Sequence, residues 1–425
     1  MNTERYRNSG TITMIAALPG REKLWQALSG AAVFLAISAL LFFRNTQIFL
    51  APEPWAEDMA VFLRDEYERG FPDTAFALYA GYIHLLPRLI AWLSLKAGLG
   101  NAMFVMNWSV LLIKCVICLL ILRSREIPSS LMRLAIAGYL ILIPFVNEIY
   151  NNVTNLQWWL IPLMALLILR RDGSLRALLT DAVILLLTGL TGVNSVIFAI
   201  PCAYLLIKDR TMGSVVRNSV VIICALVQFY FLCASGRSGD GSLVFEGSLS
   251  DLICIFVGRV VFHTLFKSDV SLVVGIPVLA LFAGMLALNL RRYGNLREVR
   301  FITLFAAVYA AVILYNLLKS ERDPEVLLTG FSGERYFVFL RICAFALLIS
   351  TLDIILKTPR LQENRGKIMA VIFLLLAVVL VRRYPVSFPS GSGYSADIER
   401  FEAVKPGEGV TIHFPPDWNC ALVKK

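Results

Sequence analysis

The chain has 425 residues, 58% of them hydrophobic and 16% charged, with a mean hydropathy of +0.71. That leaves too little polar surface to cover a soluble protein of this size, so the apolar residues must face lipid. The formal charge of +10 does not argue for a nucleic-acid partner, because the charge of a membrane protein is read loop by loop.

Apolar stretches around 31–43, 113–122, 160–169 and 368–381, with their flanks, approach the roughly 20 residues that cross a ~30 Å hydrocarbon layer. The first is long enough to stay as an anchor rather than act as a cleaved signal. Basic clusters at Arg21/Lys23, Arg123/Arg125, Arg170/Arg171/Arg176, Lys208/Arg210, Arg291/Arg292/Arg297/Arg300 and Lys357/Arg360/Arg365/Lys367 sit in short connections beside apolar runs. The positive-inside rule makes all of them cytoplasmic. About eleven spans meet this condition, with the N-terminus inside and the C-terminus outside, provided that 79–95 does not cross. The expected fold is all-α: a polytopic membrane domain over 1–382, whose first outer loop covers 44–100, and a small outer tail over 383–425.

The first outer loop opens on APEPWAEDMAVFLRDEY. Met59, Phe62, Leu63 and Tyr67 recur at helical spacing against acidic and basic residues, which predicts an amphipathic helix over 56–69 lying on the membrane surface. The prolines deliver Glu57 and Asp58 to its first turn, where the helix dipole keeps a carboxylate ionised. Such a carboxylate just above the bilayer can take the proton of an acceptor hydroxyl, although acidic residues also stabilise helix starts with no further role. In 79–95, Pro87 interrupts the apolar run, His84, Arg88 and Lys96 are polar, and Tyr79, Tyr82 and Trp92 suit the headgroup level, so a second surface helix is expected. His84 and Arg88 are four apart and would share a helix face, with Arg88 the better phosphate ligand.

Farther along, Cys115 and Cys118 lie within an apolar run and read as helix packing. Lys114 in the second span and Asp181 in the fifth are costly unless paired, and a pairing with each other would satisfy both. The segment NEIYNNVTNLQWWL gathers Asn147, Glu148, Asn151, Asn152, Asn155 and Gln157 beside Trp158 and Trp159, the mixture of amides and aromatic faces that binds sugars; a plain interfacial turn is the competing reading. Its Asn152-Val153-Thr154 matches the N-glycosylation pattern but is given no role. Arg335-Tyr336, in GFSGERYFVFLR, stands at the entrance of the tenth span, with Lys319 and Arg322 upstream. A guanidinium there can fork onto a lipid-linked phosphate, against ordinary snorkelling as the alternative. The tail, with Pro385, Pro389, Pro406 and Pro415/Pro416 and short alternating runs, predicts strands and turns without a large core of its own. Three histidines, His84, His263 and His413, make no histidine-rich metal site, and a carboxylate-bound divalent cation is left open.

An acidic motif in the first external loop, then surface helices, then a proline-containing segment, here Glu57-Asp58, 56–69 and YAGYIHLLPRLIAWL, resembles the GT-C superfamily of membrane glycosyltransferases. In detail the chain is more similar to a group of bacterial membrane proteins sharing ED, GYxHLLPR, NxTNxQW and RYF segments than to oligosaccharyltransferases or aminoarabinose transferases. The resemblance implies a transferase of the bacterial inner membrane, acting at its outer face in cell-envelope polysaccharide biosynthesis. Its partners would be a polyprenyl-phosphate sugar donor, a glycan or lipid acceptor and membrane lipids, and no nucleic acid. In that scheme Asp58, with Glu57, activates the acceptor hydroxyl for inverting displacement. Arg335, Arg88, Lys319 and Arg322 hold the departing phosphate, and Tyr82, His84, Glu148, Asn151, Asn152, Gln157 and Tyr336 line the substrate. The chain carries no nucleotide-binding βαβ pattern or phosphate-cradling glycine loop, in keeping with a lipid-linked donor. An O-antigen polymerase or ligase would call for a larger late outer loop. A transporter or flippase of lipid-linked sugars would call for polar residues along a central path.

Overall fold

The computed structural model describes residues 21–127, 129–171, 173–235, 247–265, 270–320, 327, 333–382, 384–386 and 391–425, with only the backbone of 21–27 and 315–320. Helix α1 (Arg21–Arg44) and a short α2 (Gln47–Leu50) lead to a π-helical turn (Asp58–Leu63) that runs into α3 (Arg64–Arg69). A two-residue hairpin, β1 (Leu78–Tyr79) with β2 (Tyr82–Ile83), precedes α4 (Leu85–Leu95) and α5 (Leu99–Arg123). Then come α6 (Ser130–Leu142), α7 (Leu156–Leu169), α8 (Leu175–Gly189), α9 (Asn194–Lys208) and α10 (Met212–Ala234). Helix α11 (Leu249–Phe256) continues through π and 3-10 turns to Thr264 and is followed by α12 (Leu272–Tyr293) and α13 (Arg297–Ser320). The chain closes with α14 (Glu334–Leu356), α15 (Arg365–Val381), α16 (Tyr394–Ala403) and the hairpin β3 (Gly409–Phe414) with β4 (Trp418–Val423).

The helices start and stop where local chemistry dictates. Ser129, Ser174 and Thr211 each accept a backbone N–H from three residues on, capping α6, α8 and α10. Helix α7 is apolar all round and nearly all of it is buried, so it sits inside the bundle rather than at its edge. By contrast α12 and α15 expose Val273, Ile276, Leu281, Leu374 and Leu375, apolar groups that need lipid. Among the described residues five helices are long and apolar enough to cross a membrane: α5, α10, α12, α14, and α15 with the turn before it. The chain is an all-α, polytopic membrane protein.

Contacts sort the connections into two ends. At one end Arg171 pairs with Glu298 at 2.5 Å and Arg297 with Asp209 at 2.7 Å, while the Arg171 amide donates to Glu126, so the basic links after α5, α7, α9 and α12 meet. At the other end Gly192 N–H donates to Ile83 O, the Ala56 amide to Pro415 O, and Arg335 pairs with Glu148. The helices α1, α5–α10 and α12–α15 run between these ends.

Several expectations need correction. Segment 56–69 is helical from Asp58, as a π turn running into α3, and its apolar residues Met59, Phe62 and Leu63 are fully buried within the protein, with β4 packed over the π turn. Segment 79–95 divides into the β1/β2 hairpin and α4, which packs along α5 with Ile90 and Ala91 buried. Pro87 does not interrupt this helix, because it stands in the first turn, where a missing N–H costs no helical bond. Lys114 and Asp181 do not pair. The Lys114 ammonium donates to Tyr150 O at 2.5 Å between the Tyr150 and Trp159 rings, and Asp181 takes Arg170 at 2.7 Å and Arg217 at 2.8 Å at the opposite end.

Candidate functional site at the loop end

Helix α7 has 14 residues, or roughly 21 Å of rise against a ~30 Å hydrocarbon layer, and α6 is a residue shorter. The connection between them carries most of its side chains inward, and its amides bond to backbone groups. Asn152 Nδ2 donates to Glu148 O at 2.6 Å, the Asn155 amide donates to Asn152 Oδ1 at 2.9 Å, and Asn151 Nδ2 donates to Asn107 O at 3.0 Å. The Trp159 indole closes on Ile149 O. A chain turning inside apolar surroundings must satisfy its own carbonyls, and these side chains do so. Asn151, Asn152 and Gln157 are all buried, and the first two are engaged with backbone carbonyls. The Gln157 amide fills the space a Cβ on Gly192 would take, at a φ of +85° that itself requires glycine.

The APEPW segment is followed by Ala56, with a φ of 33°, and then by two successive carboxylates that differ in exposure. Asp58 faces inward with no exposure. Its Oδ1 accepts the Thr154 amide at 3.0 Å and hydroxyl at 2.6 Å, and its Oδ2 accepts the Val153 amide at 3.4 Å. Burial pushes this carboxyl up to about 7, with the three donors opposing. The expected picture of a carboxylate held ionised by a helix start at the membrane surface is thus replaced by a buried one tied to the second loop.

Glu57 remains partly exposed and accepts the Tyr79 hydroxyl at 2.8 Å. Arg335, about one-third exposed, pairs with Glu148 at 2.5 Å and stacks on Tyr336. Glu57, Tyr79, Glu148 and Arg335 lie within electrostatic reach of one another. Burial pushes the Glu148 carboxyl up, against the pull of Arg335, and burial with Glu57 pushes the Tyr79 hydroxyl up. The structure therefore brings Glu57, Glu148 and Arg335 together over Asp58 and adds Tyr79, which sequence reasoning used only as an interfacial aromatic.

Other expected site residues lie elsewhere. Arg88 is fully buried, paired with Asp65 at 2.8 Å and stacked over Phe62, which ties α4 to the first loop. His84 stands just before the first residue of α4 with non-helical backbone angles, outside the helix it was expected to share with Arg88. It is enclosed by Phe62, Tyr79 and Tyr82, and burial lowers its pKa to about 3, leaving the ring neutral. Tyr82 is partly exposed beside it. Tyr336 meets Trp158 edge-on, and its carbonyl accepts the Tyr309 hydroxyl. The Lys319 side chain and all of Arg322 lie outside the described residues.

One cluster went unrecognised in the sequence. Glu334 takes Arg259 at 2.5 Å and Arg341, while Arg341 also donates to Arg259 O at 2.8 Å and Phe145 O at 3.2 Å. The readable signal was the spacing of Glu334 and Arg341, two helical turns apart in an apolar run. The cluster fastens the π turn after α11 to the first turn of α14, where Arg335 stands. Among the described residues no three His, Cys, Asp or Glu side chains group closely enough to hold a metal.

No protein-family model and no curated protein sequence matches this chain. Among solved structures it is similar to the Archaeoglobus fulgidus oligosaccharyltransferase in its complex with Zn and sulfate, at 11% identity and a TM-score of 0.45. The match covers 88% of this chain and 56% of that one, so the chain spans little more than half the length of the protein it matches.

Proposed function

We propose that this protein is a GT-C-type glycosyltransferase of a bacterial inner membrane, with its N-terminus cytoplasmic and its C-terminal appendage, 383–425, outside. It transfers a sugar from a polyprenyl-phosphate donor to an envelope glycan or lipid acceptor by inverting displacement. Glu57 is the base, because it is the partly exposed member of the acidic pair, and Asp58 beneath it ties the first outer loop to the second. The acceptor O–H gives its proton to Glu57 and its oxygen bonds to the anomeric carbon. The bond from that carbon to the phosphate oxygen breaks, and the electron pair leaves with the phosphate. Arg335 has donors beyond the one given to Glu148, and these receive the departing charge. Glu148 orients the guanidinium, and the Tyr79 hydroxyl holds the Glu57 carboxylate in place.

The observation that carries this reading is the meeting of Glu57, Tyr79, Glu148 and Arg335 at the loop end of the bundle, with a cation and two carboxylates partly open to solvent. A path for transport would instead distribute such groups along the bundle axis. The test is transfer of a labelled sugar from polyprenyl phosphate by the purified protein in liposomes. Release of polyprenyl phosphate with an acceptor-dependent product is expected. Movement of the intact donor across the bilayer without any bond cleavage would replace the transferase reading with a transporter.

A further inference from the structure

At the opposite end of the bundle a cavity of about 130 Å³ opens between the last turns of α5 and α7. That is many times the roughly 10–15 Å³ a single water needs. Leu120, Leu166 and Leu167 line it, together with Arg123, Arg125 and Arg170. Ser124 and Glu126 complete the wall. Arg170 is committed to Asp181, and Glu126 accepts both the Ser124 hydroxyl and the Arg171 amide. Arg123 and Arg125 are exposed and have no ion-pair partner among the described residues. The Arg123 guanidinium lies against Gly30 of α1, in space a Cβ would occupy.

We propose that this cavity binds the phosphate headgroup of an anionic phospholipid, with the start of its acyl chains against the three leucines. A snorkelling arginine needs only water for its head, whereas these two rim a concavity lined by both cationic and apolar side chains, the combination that receives a lipid headgroup. The same space receives the carbonyl ends of two helices and the Glu126 carboxylate, which oppose a bare anion. A ligand that also buries apolar surface overcomes that opposition, so a lipid is favoured over free phosphate. The proposal is independent of the glycosyltransferase reading and uses none of its residues.

The test uses the full chain in nanodiscs of phosphatidylcholine containing phosphatidylglycerol, with retained lipid counted by native mass spectrometry after transfer to detergent. Wild-type protein should keep phosphatidylglycerol, and the Arg123→Gln/Arg125→Gln variant should retain it roughly thirtyfold more weakly. Arg291→Gln/Arg292→Gln, two exposed arginines at the end of α12, should behave like wild type. Equal retention by all three proteins, or equal loss in both variants, would overturn the site. Displacement of the lipid by millimolar inorganic phosphate would show a phosphate site and overturn the lipid assignment. Both substituted pairs are exposed, so melting temperature should not change, and retention can be compared at equal folding.

Discussion

The adjacent carboxylates Glu57 and Asp58 should separate chemistry from architecture when each is replaced by its amide. Glu57 is partly exposed and has one described hydrogen bond, from Tyr79 at 2.8 Å. A glutamine oxygen can still accept that bond, so Glu57→Gln should change stability by no more than about 0.5 kcal/mol. What the amide cannot do is take a proton, and losing a general base should slow transfer by roughly 10²–10⁴, or about 3–5 kcal/mol of barrier. Asp58→Asn keeps both Thr154 contacts at Oδ1 but sets an NH₂ against the Val153 amide, a buried donor facing a donor. That clash should cost about 1–3 kcal/mol of stability. The assay is single-turnover transfer of labelled sugar in liposomes beside thermal melting of the same preparations. Wild-type transfer by Glu57→Gln would refute the assignment of the base, and wild-type melting of Asp58→Asn would refute the tie between the two loops.

Three further outcomes follow from the same geometry. The Asp58 carboxyl is pushed up to about 7 in the folded chain, from an unfolded value near 4. The folded state therefore holds a proton that the unfolded state releases, so this contribution is complete below about pH 4 and is lost as pH rises through 7. Melting temperature in detergent should fall over that window, and Asp58→Asn should flatten the slope. Arg335→Ala should impair donor use by roughly 10- to 100-fold and Arg335→Lys should recover part of it, while Arg382→Ala, exposed at the end of α15, should not matter. Equal donor use by Arg335→Ala and Arg382→Ala would remove Arg335 from the site. Finally, single cysteines at Asp73 and Ala97 should react with a membrane-impermeant maleimide in intact cells, and one at Asn295 only after permeabilisation; labelling of Ala97 from the cytoplasmic side would reverse the placement of α4.

The polytopic helical fold was readable because it rests on run length and on charged connections, both of which are local properties. Lys208, Arg291 and Arg365 stand at helix ends, as a span boundary requires. For the candidate site the segments were legible: 51–67, NEIYNNVTNLQWWL and the entrance of α14 do meet. The identity of the working side chains was not, because amide-rich loops look alike whether their amides face a ligand or their own carbonyls. In 147–157 the decisive fact is burial: Asn151, Asn152, Asn155 and Gln157 turn inward while Asn147 and Glu148 keep some exposure, a difference the sequence does not display.

The same reasoning applies to the arginines, of which sequence position singled out Arg88 and gave Arg44, Arg259 and Arg341 no part. Arg44, Arg88, Arg259 and Arg341 are all fully or almost fully buried, and each donates to backbone carbonyls, at Ile141 and Ile143, Val61, Leu327, and Phe145 respectively. A guanidinium with five donors suits that task better than an ammonium, and sequence cannot distinguish it from a guanidinium waiting for phosphate. Burial separates the two. Arg335 leaves about one-third of its side chain open while one donor is fixed by Glu148, so it is oriented without being used up. Its neighbour Glu334 faces the opposite way into the Arg259 and Arg341 pair, just as Asp58 faces inward beside Glu57. In both loops one member of a charged pair anchors the backbone and the next is presented, so the anchor should set where the presented group stands and the presented group should set the chemistry.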